Sequence, residues 1–178
     1  MNYFELFELP VGFTVDQQEL KQKFYALSRK YHPDFFARAE AEEQAEVLQK
    51  SSMVNKGYQI FSSADKTLQY LLELKGLVEP EEKFQLDPMF LGEVMDINEQ
   101  LMELEMAPEQ AELDKVAATT NELLKTIYHD VEGTLAGYQE GITPEKALLP
   151  VKDYYYQKKY LQRILDKIAS LRNIAPRT

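Results

Sequence analysis

The sequence of 178 residues contains no cysteine and no tryptophan, and only seven glycines and eight prolines. Without cysteine the chain can form neither a disulfide framework nor a thiolate nucleophile, and no thiolate can ligate zinc or an iron–sulfur cluster. This absence suits a reducing compartment, and the predicted location is the cytoplasm. The scarcity of glycine and proline, against frequent Leu, Glu, Lys, Ala and Gln, favours helices over sheets. The predicted fold class is all-α.

Long hydrophobic runs are also missing. No segment approaches the ~18 consecutive apolar residues of a membrane span, and the start, MNYFELFELP, lacks the basic and apolar regions of a signal peptide. The formal net charge is −10 and the sequence pI is about 4.8. Such a chain as a whole repels nucleic acid and anionic membranes. We expect neither as a partner, and look instead for a local basic patch or a basic protein partner.

The first half of the chain predicts helices arranged around one hairpin. Helices are expected over residues 3–9, from a capping box at Thr14 to about residue 31, over 37–62, and over 65–75 with Gly76 as the cap. Pro33 disfavours helical geometry at the residue before it, which predicts a short, stiff turn between the two long helices. Apolar residues at helical spacing should face each other across this hairpin: Leu20, Phe24 and Leu27 against Leu48, Val54 and Tyr58.

The second half predicts a three-helix bundle. Asp87 and Pro88 have the residue types of an N-cap and a first helical position, and that helix should end near residue 107. A second helix is expected from Pro108 to about residue 137, and a last one from Pro144, restarted at Pro150. The predicted organisation is an N-terminal domain over 1–76, a connector over 77–86 and a C-terminal domain over 87–178.

Four basic residues and no acidic residue lie between Leu20 and Tyr31. On a helix they form a basic face opposite the apolar stripe. This basic face comprises Lys21, Lys23, Tyr25, Arg29 and Lys30, and it favours an acidic partner surface. One alternative is a helix face that is merely solvated. Another is a helical regulator that binds nucleic acid, against which the overall charge argues.

The tripeptide His32-Pro33-Asp34, here called the His-Pro-Asp loop, directly follows the basic helix. Proline fixes the turn, while His32 and Asp34 offer a donor and an acceptor from a rigid tip. With VNKGY at residues 54–58 of the next helix, this arrangement resembles the J-domain family, whose signature is His-Pro-Asp between two long helices. The resemblance implies docking of the loop and the basic face on a DnaK-class chaperone. Where the family often has a lysine after the aspartate, Phe35 and Phe36 follow.

Two other interpretations of the loop remain open. His32 and Asp34 can make only local capping and turn bonds. Alternatively, His32 can act as a general base oriented by Asp34 in a hydrolase, although the sequence around it offers no nucleophile or oxyanion donor.

Residues 77–112 contain eleven acidic residues and one basic residue. On the helix that starts near Asp87, acidic and apolar residues recur along a single strip: Leu91, Met95, Asp96, Glu99 and Glu103. This strip is either a binding surface or a stretch in which Leu91 and Met95 belong to the core and the acids are solvated.

The whole chain resembles the bacterial HscB-type J-domain co-chaperones of iron–sulfur cluster assembly. The resemblance lies in MNYFELFELP at the start, in YLLELKG at residues 70–76, and in the length of the C-terminal bundle. It implies an activator with no catalysis, cofactor or metal of its own, a DnaK/HscA-type chaperone as partner and an IscU-type scaffold protein as client. It assigns scaffold binding to Leu91, Gly92, Met95, Asp96, Glu99, Glu103 and Tyr156. Gly92 replaces a larger apolar residue of the family, and a different client is the alternative.

Overall fold

The computed structural model describes residues 1–177, and all regular secondary structure among them is helical. These residues divide into two compact units: unit 1 comprises Met1–Glu79 and Leu135–Thr143, and unit 2 comprises Pro80–Thr134 and the chain from residue 144 onward. The predicted all-α fold class is confirmed. The limits of the predicted domains stay a prediction, and Thr178, which the C-terminal domain was predicted to include, lies outside the described residues. None of the helices formed by residues 1–177 has the length and apolar character needed to cross a bilayer.

Unit 1 contains four α-helices and a 3-10 helix. Helix α1 covers Tyr3–Phe7, α2 Gln17–Lys30, the 3-10 helix Pro33–Phe36, α3 Ala41–Phe61 and α4 Ala64–Leu74. The predicted helical hairpin is formed by α2 and α3. At its centre Leu20 and Val54 are buried, and the rings of Phe24 and Tyr58 stack with their centroids 4.1 Å apart. Burial of this apolar stripe holds the two helices together.

The residue predicted to cap the start of α2 is wrong. The N-cap residue is Asp16, whose carboxylate accepts a hydrogen bond of 2.7 Å from the backbone N–H of Glu19. The Gln17 side chain does not complete a capping box with Thr14. It donates instead to the backbone carbonyls of Val15 and Phe61, and so ties the start of α2 to the end of α3.

The predicted start of α3 is also wrong. The 3-10 helix and a turn occupy residues 33–40, so α3 begins at Ala41 rather than at residue 37. The Gln44 side chain donates to the backbone carbonyls of Ala37 and Ala39, which fixes this turn against the first turn of α3. The predicted contact of Leu48 with α2 is also wrong, because Leu48 lies at the loop end of the hairpin with 63% of its surface exposed.

The end of α4 follows the prediction at Gly76. This residue has a φ of +69°, in the left-handed region that glycine adopts without strain, and it directly follows Lys75, the C-cap residue of α4. Residues 135–143 pack on the same unit. There the Lys75 ammonium and the Tyr138 hydroxyl both bind the Glu140 carboxylate, which lowers the pKa of Glu140 and raises that of Lys75.

Unit 2 contains the predicted three-helix bundle, whose helices are α5, Pro88–Met106; α6, Gln110–Gly137; and α7, Leu149–Ile174. The last three residues of α6 belong to unit 1. Asp87 caps α5 by accepting the Met89 N–H at 2.7 Å, and Pro150 lies in the first turn of α7, as predicted. A second 3-10 helix, Glu145–Leu148, leads into α7. The core lies along the inner faces of the three helices and includes Val94, Ile97, Leu113, Val116, Leu161 and Ile168. The contacts Asn98–Tyr160 and Glu105–Lys167 advance in the same direction, so α5 and α7 run parallel.

Candidate functional site

The His-Pro-Asp loop caps the 3-10 helix at the end of the hairpin. Pro33 excludes helical geometry at His32, which is extended with φ −72° and ψ 124°. The His32 Nδ1 accepts a hydrogen bond of 3.3 Å from the backbone N–H of Asp34. In the neutral ring this bond places the proton on Nε2, so the other edge of the imidazole is the donor. The loop therefore holds a hydrogen-bond donor in a fixed orientation.

Both polar side chains of the loop face solvent. The imidazole of His32 is 52% exposed and the carboxylate of Asp34 is 88% exposed, with Nδ1 and Oδ2 3.7 Å apart. The Phe35 ring, 71% exposed, meets the imidazole edge on at 5.8 Å. The local cap uses only the Nδ1 atom of His32, so most of the loop's polar surface is available to a partner. A hydrolase would need a nucleophile and an enclosed pocket around His32. The lining of the cavity beside the loop includes Pro33 but neither His32 nor Asp34.

That cavity is a feature the sequence analysis missed. It has a volume of about 360 Å³ and lies between the 3-10 helix and the start of α3, with Phe36, Ala41, Val47 and Leu48 among its lining. Because the sequence predicted a helix from residue 37, it did not indicate a cavity before α3. The adjacent phenylalanines at 35 and 36, in a loop with no core to fill, were the signal that could have indicated an apolar surface.

The basic face of α2 is exposed except at one position. Lys21, Arg29 and Lys30 are exposed, as is Tyr25 at 57%. Lys23 is half-buried: it forms an ion pair of 3.0 Å with Glu19 and donates to the backbone carbonyl of Glu8. Three cations and an aromatic ring thus remain on a surface that directly precedes the His-Pro-Asp loop.

The predicted strip on α5 is exposed along its whole length. Leu91 is 42% exposed and Met95 is 57% exposed, so the alternative that places them in the core is wrong. Gly92 is open, and a Cβ added there would meet no atom within 4 Å. Within residues 1–177, Asp96, Glu99 and Glu103 form no ion pair. This surface, the acidic strip, comprises Leu91, Gly92, Met95, Asp96, Glu99 and Glu103, and it combines apolar side chains with uncompensated negative charge.

Tyr156 on α7 is held by contacts within unit 2. Its hydroxyl donates to the Glu82 carboxylate at 2.7 Å, and its ring stacks on Phe84 at 4.3 Å with an angle of 9°. Lys152 pairs with the same carboxylate at 2.8 Å. This tyrosine is half-buried, and its assignment to scaffold binding stays a prediction.

Two family models match this chain, one in each half. A model described as the DnaJ domain matches residues 2–70, and one described as the HSCB C-terminal oligomerisation domain matches residues 86–169. The first contains α1, α2, the His-Pro-Asp loop and α3, and the second contains α5, α6 and most of α7.

Two relatives of this chain are described as HscB homologs. The co-chaperone protein HscB homolog of Vibrio cholerae serotype O1 (strain M66-2) is 39% identical over 102 residues, which cover 57% of this chain and 60% of that protein. The homolog of Vibrio vulnificus (strain YJ016) is 38% identical over 105 residues, 58% of this chain and 61% of that protein. The matched stretch thus spans about three-fifths of the length of these relatives.

Two solved structures resemble the chain over most of its length. One is the chaperone HscB from Vibrio cholerae, with a TM-score of 0.71 and 27% identity over 99% of this chain and 100% of that one. The other is the human co-chaperone protein HscB, with a TM-score of 0.76 and 26% identity over 97% of this chain and 82% of that one. The helical order described above is therefore shared with these proteins.

Proposed function

Because this chain belongs to the HscB-type J-domain co-chaperones, we propose that it stimulates ATP hydrolysis by a DnaK/HscA-type chaperone and presents an IscU-type iron–sulfur scaffold protein to it. The chain performs no catalysis in this mechanism. The ATP chemistry belongs to the chaperone, and the cytoplasm is the proposed location. The observation that carries the proposal is the exposed, internally braced His-Pro-Asp loop at the end of a basic helix.

The chaperone half of the proposal depends on unit 1. The basic face of α2 would approach an acidic surface of the chaperone, and the His-Pro-Asp loop would then present the His32 donor and the Asp34 acceptor. Charge complementarity of this kind raises the association rate and makes it fall with salt. A small interface of this type suits a transient contact.

The scaffold half depends on unit 2. The acidic strip holds three carboxylates that form no ion pair within residues 1–177, beside two exposed apolar side chains. Burying such carboxylates without compensation is costly, so the strip fits a partner that supplies basic groups around an apolar contact. A scaffold protein with a basic, partly apolar surface meets that requirement.

The experiment that tests both halves is steady-state ATP hydrolysis by the DnaK-class chaperones of the same cell, with this protein alone and with the purified scaffold. We expect each component to stimulate the chaperone and the two together to exceed the sum of their separate effects. Stimulation that ignores the scaffold would discard the assigned client and favour a J-protein with another client. A lack of stimulation in every chaperone tested would overturn the proposal.

Gly92 provides a direct test of the client surface. Gly92→Met would add an apolar side chain to the acidic strip, in open space and on a helix interior that tolerates it. Burial of part of that side chain against the scaffold should strengthen binding by about 1 kcal/mol, or roughly fivefold. Calorimetric titration of the scaffold checks this. Gly133→Met, at an equally open glycine on α6, is the matched control, and equal affinities for both variants and the wild type would contradict the assignment.

A further inference from the structure

Helix α5 carries a row of exposed apolar side chains that continues past the acidic strip. Met102 is 67% exposed and Met106 is 90% exposed, beyond Leu91 at 42% and Met95 at 57%. At about 100° per residue these four positions fall within an arc of roughly 60° on the helix. They lie along one face of the helix, with Asn98 between Met95 and Met102, and are here called the methionine ridge: Leu91, Met95, Met102 and Met106.

The C-terminal half of the methionine ridge, which contains Met102 and Met106, borders a groove between α5 and α7. This α5/α7 groove has a volume of about 330 Å³, and Met102, Leu101, Tyr160 and Ile164 are among its lining. Pockets for drug-sized ligands begin at roughly 300 Å³, so the groove has room for one or two side chains of a partner. Methionine side chains adapt their shape to such contacts.

Four of the five polar side chains that line the groove bind one another, and the fifth is the exposed Arg163. The Asn98 amide donates to the Tyr160 hydroxyl at 2.7 Å, and Lys167 pairs with Glu105. A ligand in the groove would therefore find few unsatisfied donors or acceptors and would meet mainly carbon surface. This chemistry selects an apolar side chain over a polar small molecule.

The charge on α5 decides which partner fits the ridge. The helix contains five acidic residues and no basic residue, and three of these acids lie in the acidic strip beside the ridge. In a twofold-symmetric contact between two copies through this face, like charges would oppose each other. A partner with basic groups around an apolar contact is complementary to it.

We propose that the scaffold-binding surface continues along the methionine ridge into the α5/α7 groove, which receives an apolar side chain of the scaffold. The inference rests on the proposed function and extends it to Met102 and Met106, two residues that neither the motif nor the resemblance assigns. Basic residues of the scaffold then face the acidic strip while its apolar residues cover the ridge.

The test uses the full chain with methyl-labelled methionine and purified IscU-type scaffold as the probe. The chain has six methionines, at positions 1, 53, 89, 95, 102 and 106, and each gives its own methyl signal. We expect the signals of Met95, Met102 and Met106 to shift on titration. Those of Met1, Met53 and Met89 should stay in place, since Met53 is in unit 1 and Met89 lies on another face of α5.

A pair of variants gives the energetic test. The double variant Met102→Gln/Met106→Gln keeps side-chain length and removes apolar character at two exposed positions, so the fold should not change. We expect the dissociation constant for the scaffold to rise about tenfold, as for the loss of one well-packed interface residue. Met89→Gln, at a position 80% exposed, is the matched control and should bind as the wild type does.

Three results would overturn the inference, and they separate it from the proposed function. If only Met95 shifts and the double variant binds normally, the client surface ends at the acidic strip and the proposed function stands. If Met102 and Met106 shift when the protein alone is concentrated, a second copy covers the ridge. If no methyl signal of the wild type shifts when the scaffold is added, both the proposed client and the extended surface are wrong.

Discussion

His32→Gln is expected to reduce stimulation of the chaperone's ATP hydrolysis to the unstimulated rate while unit 1 remains folded. Glutamine offers an amide donor, but its three free torsions replace a ring that is oriented by the Asp34 N–H and by the edge of Phe35. The donor would no longer be held in place at the tip of the hairpin. Because the imidazole is 52% exposed and fills no core, the substitution should leave the melting temperature nearly unchanged.

The control for this experiment lies in the same chain. His129 is the only other histidine, and its side chain on α6 is 82% exposed. His129→Gln makes the same chemical change in unit 2 and should stimulate as the wild type does. Steady-state ATPase assays with saturating J-protein, together with circular dichroism spectra of both variants, give the comparison. Full stimulation by His32→Gln would remove the His-Pro-Asp loop from the mechanism.

Gly57→Ala is expected to destabilise unit 1 by about 1–3 kcal/mol through overpacking. Gly57 lies on α3 where α1 packs against it, and an added Cβ would stand 2.6 Å from Cε2 of Phe7 and 3.1 Å from Cδ1 of Tyr3. Phe7 cannot move aside, since it is 1% exposed and its ring packs edge on against Phe61. The methyl group must therefore displace α1 from the hairpin.

The sign of the effect makes this prediction specific. Alanine is the better helix former by about 1 kcal/mol, so intrinsic propensity alone would predict a gain. Gly133→Ala on α6, where the added Cβ meets nothing within 4 Å, should show that gain. Urea unfolding measures the stability of each variant, and amide hydrogen exchange in α1 and α3 distinguishes the unfolding of unit 1 from that of unit 2. If both variants are stabilised, the close packing of α1 on Gly57 is not a feature of the protein in solution.

Features set by neighbours in the sequence were predictable. Helical periodicity and caps identified the hairpin and the three-helix bundle, with Asp87 and Gly76 at the positions expected of them. The His-Pro-Asp loop and the exposed basic face followed from the fixed φ of proline and from a local run of bases. The errors arose where two motifs competed. Asp16 and Thr14 are both possible caps, and residues 37–40 fit either the first turn of α3 or the turn that precedes it.

Other features depend on residues that are distant in the chain. The amino-acid sequence by itself determined the all-α class, the hairpin with its rigid tip and the acidic character of α5, because propensity, capping and charge act over a few residues. Only the tertiary structure decided that Leu48 and Met102 are exposed, that Tyr156 stacks on Phe84, and that a groove opens between α5 and α7. Each of these depends on which side chains of another helix occupy the neighbouring space, and periodicity within one helix carries no information about that.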